Sequence, residues 1–343
     1  MTGKFYVDPS GRTPIYKQLT DRIQNDIRRG ILMPGEMLPS MNDLSKATGI
    51  SKETVKKAYS ILRDKGLVVP KQGKGFFVAE PDALAKPTIL ILFDRLSIYK
   101  QLIFNTFSEE MGDSAEITIL THNQNLDLFE YYLDTHIDDY DYYVITPHFP
   151  LDDESQARAL KLMGRVPNRK LIMLDRWMKD LPGNYGAVYQ DFENDSYYGL
   201  LQGRDKLSQC GRLVTVTLPA SLYGSMVCKG VEKAVREIGI PAEFVTAVPD
   251  VIRPGDTYLL LNSQLDWGVA DLARRIKASG LEVGKDVGII SYNEIALNEV
   301  VLGGLTTISA NFSAMGRLAA RMILEKSPSK LHCPFTLTRR STF

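Results

Sequence analysis

The length, composition and charge of the chain describe an ordinary globular protein with an uneven charge distribution. Its 343 residues exceed one typical domain of about 100–200 residues, and 44% apolar with 24% charged residues exclude an intrinsically disordered chain. The net charge is zero, yet residues 1–80 contain 14 Lys and Arg against 8 Asp and Glu. A basic N-terminal segment before an acidic remainder is expected when only that segment meets phosphate.

Cysteine usage and the N-terminus predict where the protein resides. Cys210, Cys228 and Cys333 are far apart and form no CxxC or Cys/His pattern, so we expect reduced thiols in the core and no metal site. The first ten residues are polar, and no apolar run approaches the roughly 18 residues of a membrane span. We therefore expect a cytoplasmic, nucleoid-associated protein with no membrane partner.

The first eighty residues predict a helix-turn-helix. Apolar residues recur every fourth position from Ile15 to Ile27, which indicates an amphipathic helix. Ser40 is the predicted N-cap of a short helix that ends at Gly49, and Ser51 caps the next helix. Two short helices across a tight turn form this motif.

The residues after Gly66 predict a β-hairpin. The runs Leu67–Pro70 and Phe76–Val78 read as strands, and the five residues between them form the connecting loop. A hairpin directly behind a helix-turn-helix is a wing.

The stretch from Pro14 to Val78 resembles the DNA-binding domain of the GntR family of bacterial regulators. It matches the IY-x-Q-L opening, the G-x-x-x-P-G-x-x-L-P-S core, the S-[RK]-x-T-V-x-K-A-Y helix and the G-x-G-x-x-V wing of that family. The resemblance implies a dimer that places each second helix in a major groove of double-stranded operator DNA and each wing near the minor groove. It implies DNA contacts at Ser40, Asn42, Ser51, Lys52, Thr54, Lys56, Gln72, Gly73 and Lys74.

Three of these positions depart from the common family residues. The family commonly has Arg where this chain has Asn42, Lys52 and Lys56. Because lysine and asparagine cannot make the bidentate guanine contact of arginine, we expect base preferences that differ from those of Arg-bearing relatives.

Residues 80–87 predict a linker, and the chain beyond them alternates strands and helices. The predicted strands include Thr88–Phe93, Ile117–Leu120, Tyr142–Thr146, Lys170–Leu174, Arg212–Leu218, Thr257–Asn262 and Val287–Ser291. The predicted helices include Gln101–Met111, Glu154–Met163, Asn194–Ser208, Met226–Ile238, Gly268–Ser279 and Ser313–Glu325. Continuous apolar strands between helices indicate parallel sheets covered on both faces. We therefore predict a mainly α/β chain, with a winged helix-turn-helix over residues 1–79 and a two-lobed effector-binding and dimerisation domain over residues 88–343.

This second region also resembles the sensor domain of LacI/GalR regulators, which has the type I periplasmic-binding-protein fold. The resemblance is carried by Leu174-Asp175-Arg176, Val188-x-x-Asp191, Gly288-Ile-Ile-Ser-Tyr-Asn-Glu294, Leu305-Thr-Thr-Ile308, Gly316-x-x-Ala319 and Arg340-Ser-Thr342. It implies a homodimer of sensor domains and a small molecule, commonly a sugar, bound between the lobes.

Polar and aromatic side chains follow the predicted strands, where ligands of open parallel sheets bind. The candidate effector-binding residues are Ser97, Tyr99, His122, Arg176, Asp191, Tyr223, Asn262, Trp267, Asn293 and Glu294. Carboxylates and amides suit sugar hydroxyls, and an aromatic face such as that of Trp267 covers the apolar side of a ring. Plain packing is the alternative for Trp267, His122 and His148. An ion pair is the alternative for Asp94 and Arg176.

Departures from the second family bear on the effector. Val227 stands where that family often has an Arg that holds a sugar hydroxyl, and Asn293 or Glu294 replaces its usual late Asp. The effector is therefore expected to differ from the familiar hexoses of that family. Because the candidate pocket is polar and the family binds mainly sugars, we expect a pentose or a deoxyhexose. No Gly-rich loop or Arg cluster follows the strands, which disfavours phosphorylated sugars.

The two resemblances together imply a repressor of carbohydrate-utilisation genes that a small sugar releases from DNA. One alternative is a body that serves only as a dimerisation scaffold, with a cleft filled by its own side chains. Another is an enzyme fused to the DNA-binding region, like the longer aminotransferase-like bodies of some GntR proteins. This sequence has no recognisable pyridoxal-lysine motif and no nucleophile–base pair, so we expect no enzyme activity and no cofactor.

Overall fold

A computed structural model of the chain separates into two units, Met1–Lys86, here called the head, and Pro87–Phe343, here called the body. The structure describes residues 5, 7–9, 13–79, 86–217, 221–261 and 268–343. Most of the predicted linker lies outside these ranges. Two candidate effector-binding residues, Asn262 and Trp267, also lie outside the described residues.

The described part of the head contains three helices and a two-stranded wing. These are α1 (Ile15–Arg28), α2 (Met41–Thr48), α3 (Lys52–Asp64), β1 (Val68–Lys71) and β2 (Gly75–Val78), and the two strands pair antiparallel. Its core includes the buried side chains of Leu19, Ile23, Leu44, Val55, Leu62 and Val78. Ser40 and Ser51 each accept a hydrogen bond from the backbone N–H three residues further on, so both predicted N-caps are confirmed.

The body alternates strands and helices in the order that the sequence predicts. Its first part contains β3 (Thr88–Phe93), α4 (Ile98–Met111), β4 (Glu116–Thr121), α5 (Leu126–His136), β5 (Tyr142–Ile145), α6 (Asp153–Met163), β6 (Leu171–Asp175), β7 (Gly186–Tyr189), α7 (Phe192–Leu201) and α8 (Arg204–Leu207). Its second part contains β8 (Arg212–Val216), α9 (Gly224–Ile238), β9 (Ala242–Val245), β10 (Asp256–Leu260), α10 (Val269–Ala278), β11 (Gly288–Tyr292), β12 (Thr306–Ala310), α11 (Phe312–Leu324), β13 (Lys330–His332) and β14 (Phe335–Thr338).

As far as the chain is described, these strands form two six-stranded sheets, each the centre of one lobe. The sheet of lobe 1 has the order β13-β7-β6-β5-β3-β4 and is parallel throughout. The sheet of lobe 2 has the order β14-β12-β11-β10-β8-β9, and only its edge strand β14 runs antiparallel to its neighbour. Apolar cores lie on both faces of each sheet, which explains the continuous apolar strands. The predicted pair of parallel sheets is confirmed.

Within the described ranges, the chain crosses between the lobes three times, and these crossings form the hinge. α7 follows β7 of lobe 1 but packs on α9, β12 and β14 of lobe 2, whereas α11 follows β12 of lobe 2 but packs on α4, β6 and β7 of lobe 1. The step from β13 to β14 is the third crossing. A Cβ at Gly316 of α11 would lie 2.3 Å from the carbonyl oxygen of Ile103 in α4, so only glycine permits this close approach.

One predicted helix differs from the structure. The stretch Asn194–Ser208 was expected to be continuous, but α7 ends at Leu201 and α8 begins at Arg204. The break lies at Gly203, a residue with weak helix propensity whose backbone approaches Leu337 of lobe 2. No described helix is long and apolar enough to cross a membrane.

Candidate functional site

The predicted DNA-binding residues of the helix-turn-helix lie at its solvent-exposed side. Asn42 is exposed in the first turn of α2, and Lys52 and Lys56 are exposed along α3. The Lys56 ammonium lies 4.0 Å from the Glu53 carboxylate, and both side chains are largely exposed. An ion pair this exposed contributes little to stability, so the lysine can exchange it for a phosphate.

The two N-cap residues and Thr54 already form hydrogen bonds within the head. Ser40 accepts a hydrogen bond from the backbone N–H of Asp43 at 3.1 Å, and Ser51 accepts one from Thr54 at 3.2 Å. The Ser51 and Thr54 hydroxyls lie 2.8 Å apart. These residues therefore shape the start of each helix, whose remaining N–H groups are suited to bind a phosphate.

The predicted wing residues lie at the tip of the hairpin. Gln72, Gly73 and Lys74 form the exposed turn between β1 and β2. Gly73 has a φ of 70°, in the left-handed region that favours glycine. The tip is thus a tight turn that places a lysine in solvent.

A buried tyrosine fixes α3 against the rest of the head. The Tyr59 hydroxyl donates a hydrogen bond of 2.8 Å to the carbonyl oxygen of Pro39, which precedes α2. Its ring meets the Phe76 ring of β2 edge-on, at 5.2 Å between centroids. Burial raises the pKa of Tyr59, so the hydroxyl stays protonated and keeps donating this bond. The exposed face of α3 is therefore held rigidly between α2 and the wing.

In the body, a buried charged cluster lies at the carboxyl edge of the lobe 1 sheet. We call Asp94, Lys100, His148, Asp175 and Gln190, each at most 8% exposed, the Lys100 cluster. The Lys100 ammonium donates a hydrogen bond to Asp175 and lies 3.3 Å from Asp94. His148 Nε2 lies 3.0 Å from the Asp175 carboxylate, and the Gln190 amide donates to its other oxygen.

The charges in the Lys100 cluster stabilise one another. Burial alone would raise the carboxyl pKa of Asp94 and Asp175, but the neighbouring Lys100 ammonium, followed by the His148 side chain, lowers both pKa values. Burial would lower the pKa of the Lys100 ammonium, and the two carboxylates raise it instead. The cluster therefore holds two carboxylates and one ammonium at neutral pH.

Lobe 2 contributes Tyr223 to the same cleft. Its ring stacks on Phe192 at 4.1 Å between centroids with an interplanar angle of 4°, and meets the His148 ring edge-on at 5.1 Å. The Arg176 guanidinium lies 5.8 Å from the centre of the Tyr223 ring. The structure therefore brings together two candidate residues, Arg176 and Tyr223, from opposite lobes.

Arg176 does not form an ion pair with Asp94, which was the alternative to a role in effector binding. It donates hydrogen bonds to the carbonyl oxygen of Pro147 at 3.1 Å and to Gln156 Oε1 at 2.6 Å. Asp94 instead faces Lys100, whose ammonium lies 3.3 Å from its carboxylate.

The two candidates of lobe 2 at the end of β11 carry polar atoms that lack partners. Asn293 Oδ1 and Glu294 Oε1 are buried and accept no hydrogen bond from the described residues. The same holds for the Tyr223 hydroxyl and for Gln190 Oε1. Leaving such atoms unpaired costs free energy, so each of them is suited to a polar ligand or bound water.

The remaining candidates of lobe 1 form contacts within the protein. Ser97 is the N-cap of α4, and Asp191 is the N-cap of α7. The Tyr99 ring packs on the Phe312 ring at 4.9 Å, outside the Lys100 cluster. His122 is fully buried, and burial lowers its pKa to about 4, so it is neutral at pH 7.

Sequence reasoning missed Lys100, the residue at the centre of the cluster. A signal was present, because Lys100 lies on the same helical stripe as the buried residues Ile103, Phe107 and Met111. A lysine on the apolar stripe of a buried helix requires a carboxylate partner nearby.

The cysteines and acidic residues do not form a metal centre in the part of the chain that the structure describes. All three cysteines are free thiols. No group of three or more His, Cys, Asp or Glu side chains in the described ranges could hold a metal ion.

The fold and these sites define a winged helix-turn-helix joined to a two-lobed sensor-type body. Residues 15–78 match the model of the gntR family of bacterial regulatory proteins, and residues 259–342 match the periplasmic binding protein-like domain. The chain thus combines a GntR-type head with a periplasmic-binding-protein-like body.

Curated relatives match only part of the chain. It is 34% identical over 74 residues to the HTH-type transcriptional repressor YtrA of Bacillus subtilis (strain 168), covering 22% of this chain and 57% of YtrA. It is 41% identical over 115 residues to the HTH-type transcriptional regulator YurK of the same organism, covering 32% of this chain and 41% of YurK. The alignments span about half the length of these relatives.

Solved structures match the two-lobed fold. The trehalose repressor from Escherichia coli has a TM-score of 0.58 at 14% identity, over 74% of this chain and 100% of that one. The Lac repressor bound to ONPG in its repressed state has a TM-score of 0.58 at 18% identity, over 85% of this chain and 90% of that one. A periplasmic binding protein/LacI transcriptional regulator from Alkaliphilus metalliredigens QYMF complexed with D-xylulofuranose has a TM-score of 0.55 at 14% identity, over 75% of this chain and 98% of that one.

Proposed function

We propose that the chain is a DNA-binding transcription repressor whose body binds a small sugar and thereby releases the head from operator DNA. The observation that carries the proposal is the geometry of α3. Its inner face is buried in the head, while Lys52 and Lys56 extend into solvent beside a capped helix start. Such a helix, followed by a wing, fits the major groove of DNA.

The proposed active form is a homodimer that acts in the cytoplasm, at the nucleoid. Two heads related by two-fold symmetry would bind a pseudo-palindromic operator, with half-sites about 10 base pairs or a multiple of that apart. The DNA contacts predicted at the helix starts, along α3 and at the wing tip belong to this proposal.

The effector is proposed to bind between the lobes, at the edge that holds Tyr223 and the unpaired oxygens of Asn293 and Glu294. Acceptor atoms predominate there, which favours a ligand rich in hydroxyl donors over a phosphate. Similar structures are named as a trehalose repressor and as complexes with ONPG and D-xylulofuranose, which supports a sugar. A coupling of about 1–3 kcal/mol would change operator affinity by about 5- to 150-fold.

One observation favours a second candidate function, in which the body is only a dimerisation scaffold. The Tyr223 ring lies on Phe192 and against His148, in the place where a ligand ring would lie. The Lys100 ammonium neutralises carboxylates that could otherwise bind hydroxyls. A cleft filled in this way would bind no effector.

Footprinting on selected DNA tests the proposal. Full-length protein selects duplexes from a random pool, and hydroxyl-radical footprints are recorded on the recovered sequence with and without D-xylose, D-ribose and L-rhamnose. The proposal predicts two symmetric protected patches that one of the sugars weakens. Patches that no sugar affects support the scaffold function, and the absence of a defined footprint refutes the proposed DNA-binding role.

A further inference from the structure

A histidine–carboxylate pair joins two of the chain segments that cross between the lobes. Its members are Asp195 in the first turn of α7 and His332 at the end of β13, and we call them the hinge pair. His332 Nε2 lies 2.6 Å from Asp195 Oδ1, although the two residues are 137 positions apart in the chain. The hinge pair is therefore a direct contact between two crossing segments.

The two members of the hinge pair are attached to different lobes. Ser196, which follows Asp195, donates a hydrogen bond of 3.1 Å to the carbonyl oxygen of Val227 in α9 of lobe 2. A Cβ at Gly230 of α9 would lie 2.2 Å from the Ser196 hydroxyl oxygen, so α9 packs tightly on this turn of α7. The strand that ends at His332 instead pairs with β7 in the sheet of lobe 1. A movement of one lobe relative to the other would therefore alter the contact between the two side chains.

The two side chains differ in their access to water. The Asp195 side chain is 2% exposed, whereas that of His332 is 47% exposed. The second carboxylate oxygen of Asp195 accepts a hydrogen bond of 2.8 Å from the backbone N–H of Asp191. The hinge pair thus combines a buried carboxylate with a histidine that solvent can reach.

The other titratable groups around the hinge pair are neutral or acidic. They are Asp191 before α7, Tyr189 of β7, Tyr292 of β11 and Cys333 after β13. No lysine or arginine among the described residues forms an ion pair with Asp195, whose basic neighbour is His332. Burial raises the pKa of Asp195 to about 6, although His332 and the hydrogen bond from Asp191 lower it. The buried carboxyl group therefore takes up a proton at a higher pH than an exposed one.

We infer that the hinge pair is a proton-sensitive contact that favours the present arrangement of the lobes, here called the paired arrangement, as the pH falls. A movement that separates the two residues would expose the Asp195 carboxylate to water, where the pKa of an aspartate is about 4. The paired arrangement then binds more protons than the separated one. Lowering the pH from about 8 to about 5 should therefore raise the ratio of paired to separated molecules about tenfold. Only an effect of pH on DNA release would rest on the proposed function.

The test measures the distance between the lobes of the full-length protein by single-molecule fluorescence resonance energy transfer, without DNA or sugar. Dyes are attached to p-azidophenylalanine introduced at Lys161 in α6 of lobe 1 and at Lys277 in α10 of lobe 2, two exposed positions. Labelled protein is mixed with an excess of unlabelled protein, so that each assembly carries one labelled chain. The wild type should show a pH-dependent redistribution between two transfer efficiencies, with the about tenfold change in their ratio derived above.

Three variants assign this pH dependence. Asp195→Asn removes the buried titrating group and should abolish the redistribution. His332→Gln removes the basic neighbour of the carboxylate, so the midpoint of the redistribution should move to higher pH. His136→Gln is the matched control, because His136 lies 3.3 Å from Asp139 in a pair within lobe 1, and it should behave like the wild type. Melting curves confirm that each variant is folded, and the exposed position of His332 suits it to substitution.

The outcomes separate the inference from the proposed function. A redistribution that Asp195→Asn abolishes and His332→Gln moves to higher pH supports the hinge pair. The inference is overturned if the interlobe distance in the wild type does not change with pH, or if Asp195→Asn keeps the change. A midpoint that His332→Gln leaves in place also overturns it, since the carboxylate would then act without the histidine. The assay contains neither DNA nor sugar, so operator footprints from the same preparation decide the proposed function separately.

Discussion

Replacing Lys100 with methionine should strongly destabilise the body. Methionine keeps the unbranched stem of lysine but removes the ammonium, so the Asp94 and Asp175 carboxylates lose their buried partner. Their side chains are 4% and 8% exposed, and that of Lys100 is 7% exposed. Breaking a buried ion pair by removing one partner costs about 3–5 kcal/mol, which is the loss in unfolding free energy that we expect.

The pH dependence of Lys100→Met has a defined sign. In the wild type both carboxyl pKa values lie below their unfolded values, so the contribution of the cluster is present above about pH 4 and is lost in stronger acid. Without the ammonium, burial raises these pKa values above the unfolded ones. The variant therefore gains stability relative to the wild type as the pH falls from about 8 to about 5.

Urea unfolding monitored by tryptophan fluorescence measures this effect, because Trp177 lies in lobe 1. Lys161→Met, at an exposed position of α6, is the control and should change stability by about 0.5 kcal/mol or less. Adding Asp175→Asn to Lys100→Met should restore part of the loss, since asparagine tolerates the left-handed φ of 70° at this position. A loss in Lys100→Met no larger than that of the control would refute this account of the cluster.

Three further predictions concern the head, a buried histidine and the hinge. Lys52→Ala should weaken DNA binding and reduce the steepness of log affinity against log salt concentration by about 1. Lys65→Ala, at the far end of α3, is the control and should change neither quantity. Fluorescence anisotropy titrations at several salt concentrations measure both variants. His122, with its pKa lowered to about 4, should cost the fold up to about 3 kcal/mol as the pH falls from about 6.5 to about 4. His122→Phe should remove this dependence of the unfolding free energy on pH, as measured by urea unfolding. Burial raises the pKa of Asp195 to about 6, so Asp195 contributes a pH dependence of opposite sign in both proteins. The same pH dependence in wild type and variant would contradict the lowered pKa of His122. Gly316→Ala should destabilise the body by about 1–3 kcal/mol, because its Cβ would lie 2.3 Å from a carbonyl oxygen of α4. Thermal melting tests this last prediction, and a wild-type melting temperature would argue against the packing of α11 on α4.

Local signals in the sequence were sufficient to predict the head. Ser40 and Ser51 cap helices through bonds to residues only three positions away, so the chain segment itself contains the information. The left-handed C-cap at Gly49 is equally local. Family-like spacing then located the wing, and the structure confirms its two strands.

The interlobe site was only partly predictable, because its contacts join distant parts of the chain. Lys100 and Asp175 are 75 positions apart, and no local pattern shows that they meet. Tyr223 approaches His148 only when the two lobes are in place. The positions of polar residues after the strands predict an effector site at the edge of the sheet, and that site stays a prediction. The same pattern does not reveal that Asp191 caps a helix.

The hinge was hard to predict for a related reason. β13 and β14 are short strands of three and four residues, and each pairs with a strand far away in sequence. Neither strand has a fully buried side chain, so neither has the apolar run that predicts a strand from sequence.

The most direct test of the central claim is the specificity of DNA binding by the full-length protein. Fluorescence anisotropy compares the dissociation constant for a selected operator duplex with that for a scrambled duplex of the same length and composition, at one salt concentration. A sequence-specific repressor should bind the operator about a thousandfold or more tightly than the scrambled duplex. A ratio near one, with both affinities falling equally as salt rises, would contradict the claim that the head reads an operator.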